Sequence, residues 1–245
     1  MNDIQTQTTI GQLVAERPSR ARVFETLGLD YCCGGKVALD KACAERGLDL
    51  DSVVTRLEES DAGRAAETER DLRNAPLAEL ADHIVEVHHG FLRQELPRLS
   101  MLSAKVAQAH GQRFPALVEV QGVFEDMRAE LESHTMKEEG VLFPLCKQLE
   151  TSTALPDTHF GSVANPIRVM EHEHDSAGAA LARLNKLTDA YSTPSGVCNT
   201  YRALMDGLAE LERDLHQHIH KENNILFPRA LAVEDDLARR TGAPA

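Results

Sequence analysis

His134-Thr-Met-Lys-Glu138-Glu-Gly-Val-Leu-Phe-Pro144 and His218-Ile-His-Lys-Glu222-Asn-Asn-Ile-Leu-Phe-Pro228 are one block written twice: six of the eleven positions are identical, and Val141 is answered by Ile225. The histidines upstream keep the same spacing, His89 preceding His134 by 45 residues and His174 preceding His218 by 44. A duplicated block of this kind implies two copies of one helical hairpin about an approximate twofold axis. Four long apolar-periodic stretches hold these positions, at about 76–109, 114–149, 166–191 and 197–233. The third has the cleanest stripe, with Ile167, Met170, Ala177, Leu181 and Leu184 at helical spacing. Pro76 and Pro166 fall near helix starts, where a missing N–H costs little. Connections of modest length join the four, and no period-two alternation competes. The expected fold is all-α, an up-down four-helix bundle.

Residues four apart on a helix differ by about 40° in azimuth and about 6 Å in rise, so His134 with Glu138, and His218 with Glu222, each present an imidazole and a carboxylate on one face. Facing the bundle axis together, two carboxylates would repel, and two divalent ions about 3.5–4 Å apart would remove the conflict. One histidine from each remaining helix completes four nitrogens and two carboxylates, a set richer in nitrogen than that of ferritin-like proteins. Imidazole with carboxylate suits iron, zinc or manganese. Iron is the expectation, because two-metal helical bundles most often hold redox metals.

His216 and His220 lie about 240° and 200° from Glu222, so only His218 shares its face. His174 falls within the apolar stripe of the third helix, whereas His172 lines up with Arg168 and Arg183 on the polar side. On the first helix, periodicity slightly favours His88 and the repeat spacing favours His89. Leu142, Phe143, Leu226 and Phe227 read as core packing below the metals. Pro144 and Pro228 kink or end a helical turn. Glu130, one turn before His134, and Glu173, beside His174, are placed to accept from a ligand or to carry protons.

The first quarter of the chain reads as four short helices: TIGQLVAERP begins at a Thr9 cap, PSRARVFETLG ends on Gly28, KVALDKACAERG ends on Gly47, and DLDSVVTRLEES follows. Between the second and third lies LDYCCGG, whose glycines permit a tight turn holding Cys32 and Cys33 at a helix start. A thiolate there would be stabilised and reactive, so the pair is a candidate redox relay if its loop reaches the bundle. Boundaries are expected at 1–60 for the small helical N-terminal domain, 61–75 for a charged linker and 76–235 for the bundle.

Net charge is −13 with no basic run, which disfavours nucleic acid and anionic membranes as partners. No stretch approaches the about 18 apolar residues of a transmembrane helix, the start lacks a signal pattern, and five cysteines form no disulfide framework. A cytoplasmic location is expected.

Asp30-Tyr31-Cys32-Cys33-Gly34-Gly35-Lys36, followed twice by His-x-x-x-Glu-x-x-x-Leu-Phe-Pro, resembles the iron-sulfur cluster repair di-iron proteins, the repair-of-iron-centres family. The block Ala75-Pro76-Leu77-Ala78-Glu79 adds to the likeness, which spans about residues 10–231. The resemblance implies a hemerythrin-like bundle behind a small N-terminal domain, and two non-haem iron ions held by His89, His134, Glu138, His174, His218 and Glu222. It supports His89 over His88. It implies repair of iron-sulfur clusters damaged by nitrosative or oxidative stress, by iron donation or by binding and reduction of nitric oxide. The partners implied are nitric oxide, damaged iron-sulfur proteins and an electron donor. The alternative is a non-catalytic nitric oxide or oxygen scavenger or sensor, and the N-terminal domain could pack within one chain or across a homodimer.

Overall fold

The computed structural model describes residues 4–62 and 72–241. Four short helices come first: α1 (Ile10–Glu16), α2 (Ala21–Leu27), α3 (Leu39–Arg46) and α4 (Leu50–Ala62). Thr9 caps α1, its hydroxyl accepting from the Gln12 amide at 3.2 Å, and Gly28 and Gly47 end α2 and α3 in the left-handed conformation at φ 66° and 64°. Their apolar faces meet in a core of Leu13, Phe24, Leu39, Val53 and Leu57. Arg20 is buried and closes the group by donating twice to Asp61 (2.7 and 3.1 Å). Residues 63–71, within the stretch expected as a linker, lie outside the described residues.

The bundle follows as α5 (Leu77–His83), α6 (Gly90–His110), α7 (Ala116–Lys137), α8 (Phe143–Thr151), α9 (Ala164–Leu187), α10 (Asn199–Lys221) and α11 (Phe227–Thr241). Three pairs are single rods interrupted by one wide π-type turn, at Ile84–His89, Glu138–Leu142 and Glu222–Leu226. The rods are therefore α5–α6, α7–α8 and α10–α11, and α9 is the fourth. After the second and third wide turns the Phe143 and Phe227 amides donate to Glu138 O and Glu222 O, five residues back. Pro144 and Pro228 follow at once, so the residues expected to kink a turn stand where the ladder is already widened.

Two apolar layers fill the bundle. One contains Leu92, Leu96, Phe124, Met127, Leu181 and Leu211, and the other Leu80, Ile84, Phe143, Ile167, Met170 and Phe227. Along every rod the two layers are separated at the same level, by His89, by His134 and Glu138, by His174, and by His218 and Glu222. The N-terminal core does not stop at the domain edge, because Ile219 of α10 packs into it.

Among the described residues no helix is long and apolar enough to cross a membrane.

Candidate metal centre

The six residues between the apolar layers are all buried, and Glu138 and Glu222 are 0 % exposed. Their imidazole and carboxylate atoms form two overlapping groups, His89, Glu138, His218 and Glu222, and His134, Glu138, His174 and Glu222, each with its ligand atoms within 4.8 Å of one another. Both carboxylates belong to both groups. Glu138 Oε2 lies 3.3 Å from His89 Nε2 and Glu138 Oε1 3.2 Å from His134 Nε2, while Glu222 lies 3.0 Å from Nε2 of both His174 and His218. Nε2 of His134 and Nε2 of His174 lie 3.2 Å apart, within hydrogen-bond reach of each other.

A buried polar atom without a partner is costly, and this level holds several. Both oxygens of Glu138, Glu222 Oε2 and His89 Nε2 make no aligned hydrogen bond. Donor and acceptor atoms drawn to about 3 Å of one another, with those three carboxylate oxygens and that ring nitrogen left unpaired, fit ligands around a shared cation. Four nitrogens and two carboxylates, with no sulfur, suit iron among redox metals. Burial pushes His134 down, but the Glu138, Glu222 and Glu173 carboxylates lift it to about 9. Burial likewise works against Glu222 ionisation, and His218 and His174 override it and hold the carboxyl well below its usual range. Protons thus serve where cations would otherwise sit.

The hemerythrin HHE cation-binding domain family matches residues 80–230, and ScdA_N, a domain of unknown function, matches residues 6–61. The iron-sulfur cluster repair protein YtfE of Edwardsiella ictaluri is 41% identical over 222 residues, covering 91% of this chain and 96% of that protein. The protein of the same name from Escherichia coli O81 is 39% identical over 227 residues, and the probable iron-sulfur cluster repair protein of Haemophilus influenzae is 37% identical over 225; each match covers 92% of this chain and 97% of the relative. The chain belongs to the YtfE-type iron-sulfur cluster repair family. Its bundle is the hemerythrin-type part and its four short helices the ScdA_N part.

Around the six residues this family member carries an outer set of partners that follows the sequence repeat. Glu139 and Asn223 occupy the position after each glutamate: His89 Nδ1 donates to Glu139 Oε1 (2.7 Å) and His174 Nδ1 to Asn223 Oδ1 (2.9 Å). Sequence reading missed both, although their equivalence in the two blocks marks them. Such bonds fix the ring and leave Nε2 to face the centre. Arg93 donates to Glu139 as well (2.7 Å). His134 Nδ1 donates to Glu173 Oε2 (2.8 Å), and Lys137 reaches the other oxygen. Burial raises Glu173, but Lys137 and His134 outweigh it and hold the carboxyl below its usual range, so Glu173 acts as a fixed acceptor.

His88, before His89 in the first half, stands where Glu173, before His174, stands in the second. It lies flat against His218 (5.3 Å, 2°), its Nδ1 donates to Asp214 Oδ1 (2.9 Å), and its Nε2 accepts from Lys221 (3.2 Å). Burial, then His218 and Lys221, push its pKa down to about 2, which keeps the ring neutral. His88 is therefore buried beside the centre and outside both ligand groups. The wide turn at Ile84–His89 explains the ambiguity: one extra residue in the turn advances the register, and His89 takes the inward position that straight periodicity assigns to His88. His172 is exposed, and His220 turns to the N-terminal domain, 5.5 Å from the Tyr31 ring.

Phe143 and Phe227 lie against His89 and His174, with ring centroids 5.7 and 6.0 Å apart. A narrow cavity with about 10 Å³ open to water reaches His134, His174 and His218, and Glu173 and Glu130 line it. Glu130 is exposed there and makes no hydrogen bond among the described residues.

The cysteine loop corrects one expectation. Cys32 and Cys33 do not sit at a helix start, since α3 begins only at Leu39. Asp30 Oδ1 accepts from the Cys32 and Cys33 amides at 3.1 and 3.0 Å and organises the turn in place of a helix end. The Cys33 thiol, burial and Asp30 push the Cys32 thiol up, the opposite of helix-end activation. The loop does reach the bundle: Cys33 Sγ lies 3.7 Å from His174 O, Asn224 Nδ2 donates to Tyr31 O (3.2 Å) and Cys32 O (3.1 Å), and Asn223 Nδ2 donates to Cys32 O (3.4 Å). One amide, Asn223, therefore touches both His174 and the cysteine loop.

Proposed function

We propose that this protein repairs damaged iron-sulfur clusters by binding and reducing nitric oxide at a di-iron centre, which His89, His134, His174, His218, Glu138 and Glu222 would hold. The observation that carries the reading is the pair of overlapping His/Glu groups sharing both carboxylates, in a chain whose relatives are named for cluster repair. When bound, two ferrous ions supply the two electrons that convert two nitric oxide molecules and two protons to nitrous oxide and water.

The chain's own residues do the rest. Glu139, Glu173 and Asn223 each take the Nδ1 side of one imidazole, which orients the ring and leaves Nε2 as the atom that faces the centre. The cavity beside His134 has room for about one water-sized molecule. Glu130 at its mouth faces solvent and is placed to pass protons inward. Loss of Glu173 releases the His134 ring, so Glu173→Ala is expected to weaken metal affinity about 10–100-fold. Competition against a chelator of known affinity measures this, and an affinity within twofold of the parent would remove Glu173 from the site.

The test of the function is anaerobic titration of the reduced protein with nitric oxide, following iron by Mössbauer and EPR spectroscopy and assaying nitrous oxide in the headspace. Two irons per chain with repeated nitrous oxide release are expected. Stoichiometric uptake without nitrous oxide would make the protein a scavenger or sensor, and fewer than two irons would overturn the ligand set.

A further inference from the structure

The vicinal cysteines hold their sulfurs side by side, with Cys32 Sγ in hydrogen-bond contact with both Cys33 Sγ and Asp30 Oδ1. Their sulfurs are 3.9 Å apart, nearly twice the about 2.05 Å of a disulfide bond. Two thiolates bound to one tetrahedral cation at about 2.3 Å each stand about 3.8 Å apart. Asp30 supplies a third donor, and the ligand atoms of Asp30, Cys32 and Cys33 all lie within 4.8 Å of one another. While Asp30 Oδ1 shapes the turn, its Oδ2 carries no hydrogen bond among the described residues.

The loop is held in this shape from behind. Asn224 fixes the Tyr31 and Cys32 carbonyls, and a Cβ on Gly34 would stand 2.7 Å from Asp30 O. In front lies a groove of about 590 Å³, lined by Asp30, Cys32 and Cys33 together with Glu25, Arg213 and His216. Behind, Cys33 Sγ meets the main chain of His174 at 3.7 Å. The three donors thus stand between an open groove and the buried centre.

We propose that Asp30, Cys32 and Cys33 form a second cation site, a cup of two thiolates and one carboxylate that takes ferrous iron and keeps its fourth position open to the groove. Structural sites of this chemistry close all four positions with protein ligands, whereas an open position lets a ligand from another molecule enter and the cation leave. Loading exchanges two thiol protons, released to solvent, for one cation, with no change of oxidation state. The choice of iron rests on the reading of the protein as an iron-handling repair protein; the cup itself does not.

Cobalt(II) is the probe, added anaerobically to the reduced full-length chain. The buried His/Glu centre has no sulfur, so a near-ultraviolet thiolate-to-cobalt charge-transfer band reports the cup alone. The band is expected to saturate at one cobalt beyond those the bundle takes, to vanish in Cys33→Ser, to need at least tenfold more cobalt in Asp30→Asn, and to persist in Cys198→Ser. Cys33 is only half-buried and Asp30 is exposed, so both variants are expected to keep the parent circular dichroism. No band in the parent, or a band surviving Cys33→Ser, overturns the cup. Iron analysis of the same parent protein separates the two readings: a filled bundle without the band sinks the cup alone, whereas an empty bundle sinks the di-iron reading even where the band stands.

Discussion

Replacing Glu222 by alanine is expected to cut the iron content of the purified protein from two per chain to one or none, and to lower its stability by about 3–5 kcal/mol, the cost of leaving buried partners uncompensated. Glu222 is 0 % exposed and lies 3.0 Å from both His174 and His218, one imidazole from each overlapping group. Its loss therefore damages both groups together, whereas loss of one histidine damages one. Metal analysis and urea unfolding under anaerobic conditions measure the two effects. Glu222→Gln separates charge from volume: it keeps the packing and should still lose iron. Two irons per chain in either variant would remove Glu222 from the ligand set.

Gly35→Ala is expected to be the most damaging change in the N-terminal part. A Cβ there would lie 2.3 Å from Asn224 Oδ1 and 2.5 Å from the Tyr31 main-chain oxygen. Asn224 is the side chain that holds the Tyr31 and Cys32 carbonyls, so the clash cannot be relieved without lifting the cysteine loop from the bundle. Overpacking of this kind costs about 1–3 kcal/mol. The urea midpoint should fall accordingly, and Cys32, now 4% exposed, should become reactive toward a thiol reagent under native conditions. Gly47→Ala is the control, because it carries the left-handed strain at φ 64° but would meet nothing within 4 Å. Equal cysteine labelling in the two variants would show that Gly35 does not seat the loop.

The fold was legible because its signals are local and repeated. The apolar stripe of α9 and the glycines ending α2 and α3 need no tertiary information, and Ile167, Met170, Ala177, Leu181 and Leu184 are all buried as spaced. The duplicated block pointed to the level at which His134, Glu138, His218 and Glu222 meet. What the sequence hid was set by departures from regular geometry. A wide turn, which has no clear sequence mark beyond the prolines that follow two of the three, decided between His88 and His89. The partners of the imidazoles were hidden for another reason: Glu139, Asn223 and Asp214 act across the bundle, and contacts between rods leave no period along any one of them. The cysteine loop misled because two glycines after a cysteine pair fit a helix start as well as the Asp30-centred turn that forms.

The two halves of the bundle are copies that have been allowed to differ. Glu173 supports one ligand histidine and His88 lies against its counterpart; Glu130 meets solvent where Asp214 is half-buried against His88. Two identical hairpins assembled as a dimer would have to place the same residue at both positions, so any change that suited one side would be imposed on the other. Joining the hairpins in one chain lifts that constraint. One half therefore keeps an exposed carboxylate, Glu130, beside the His134 cavity, while the equivalent carboxylate of the other, Asp214, is committed to His88.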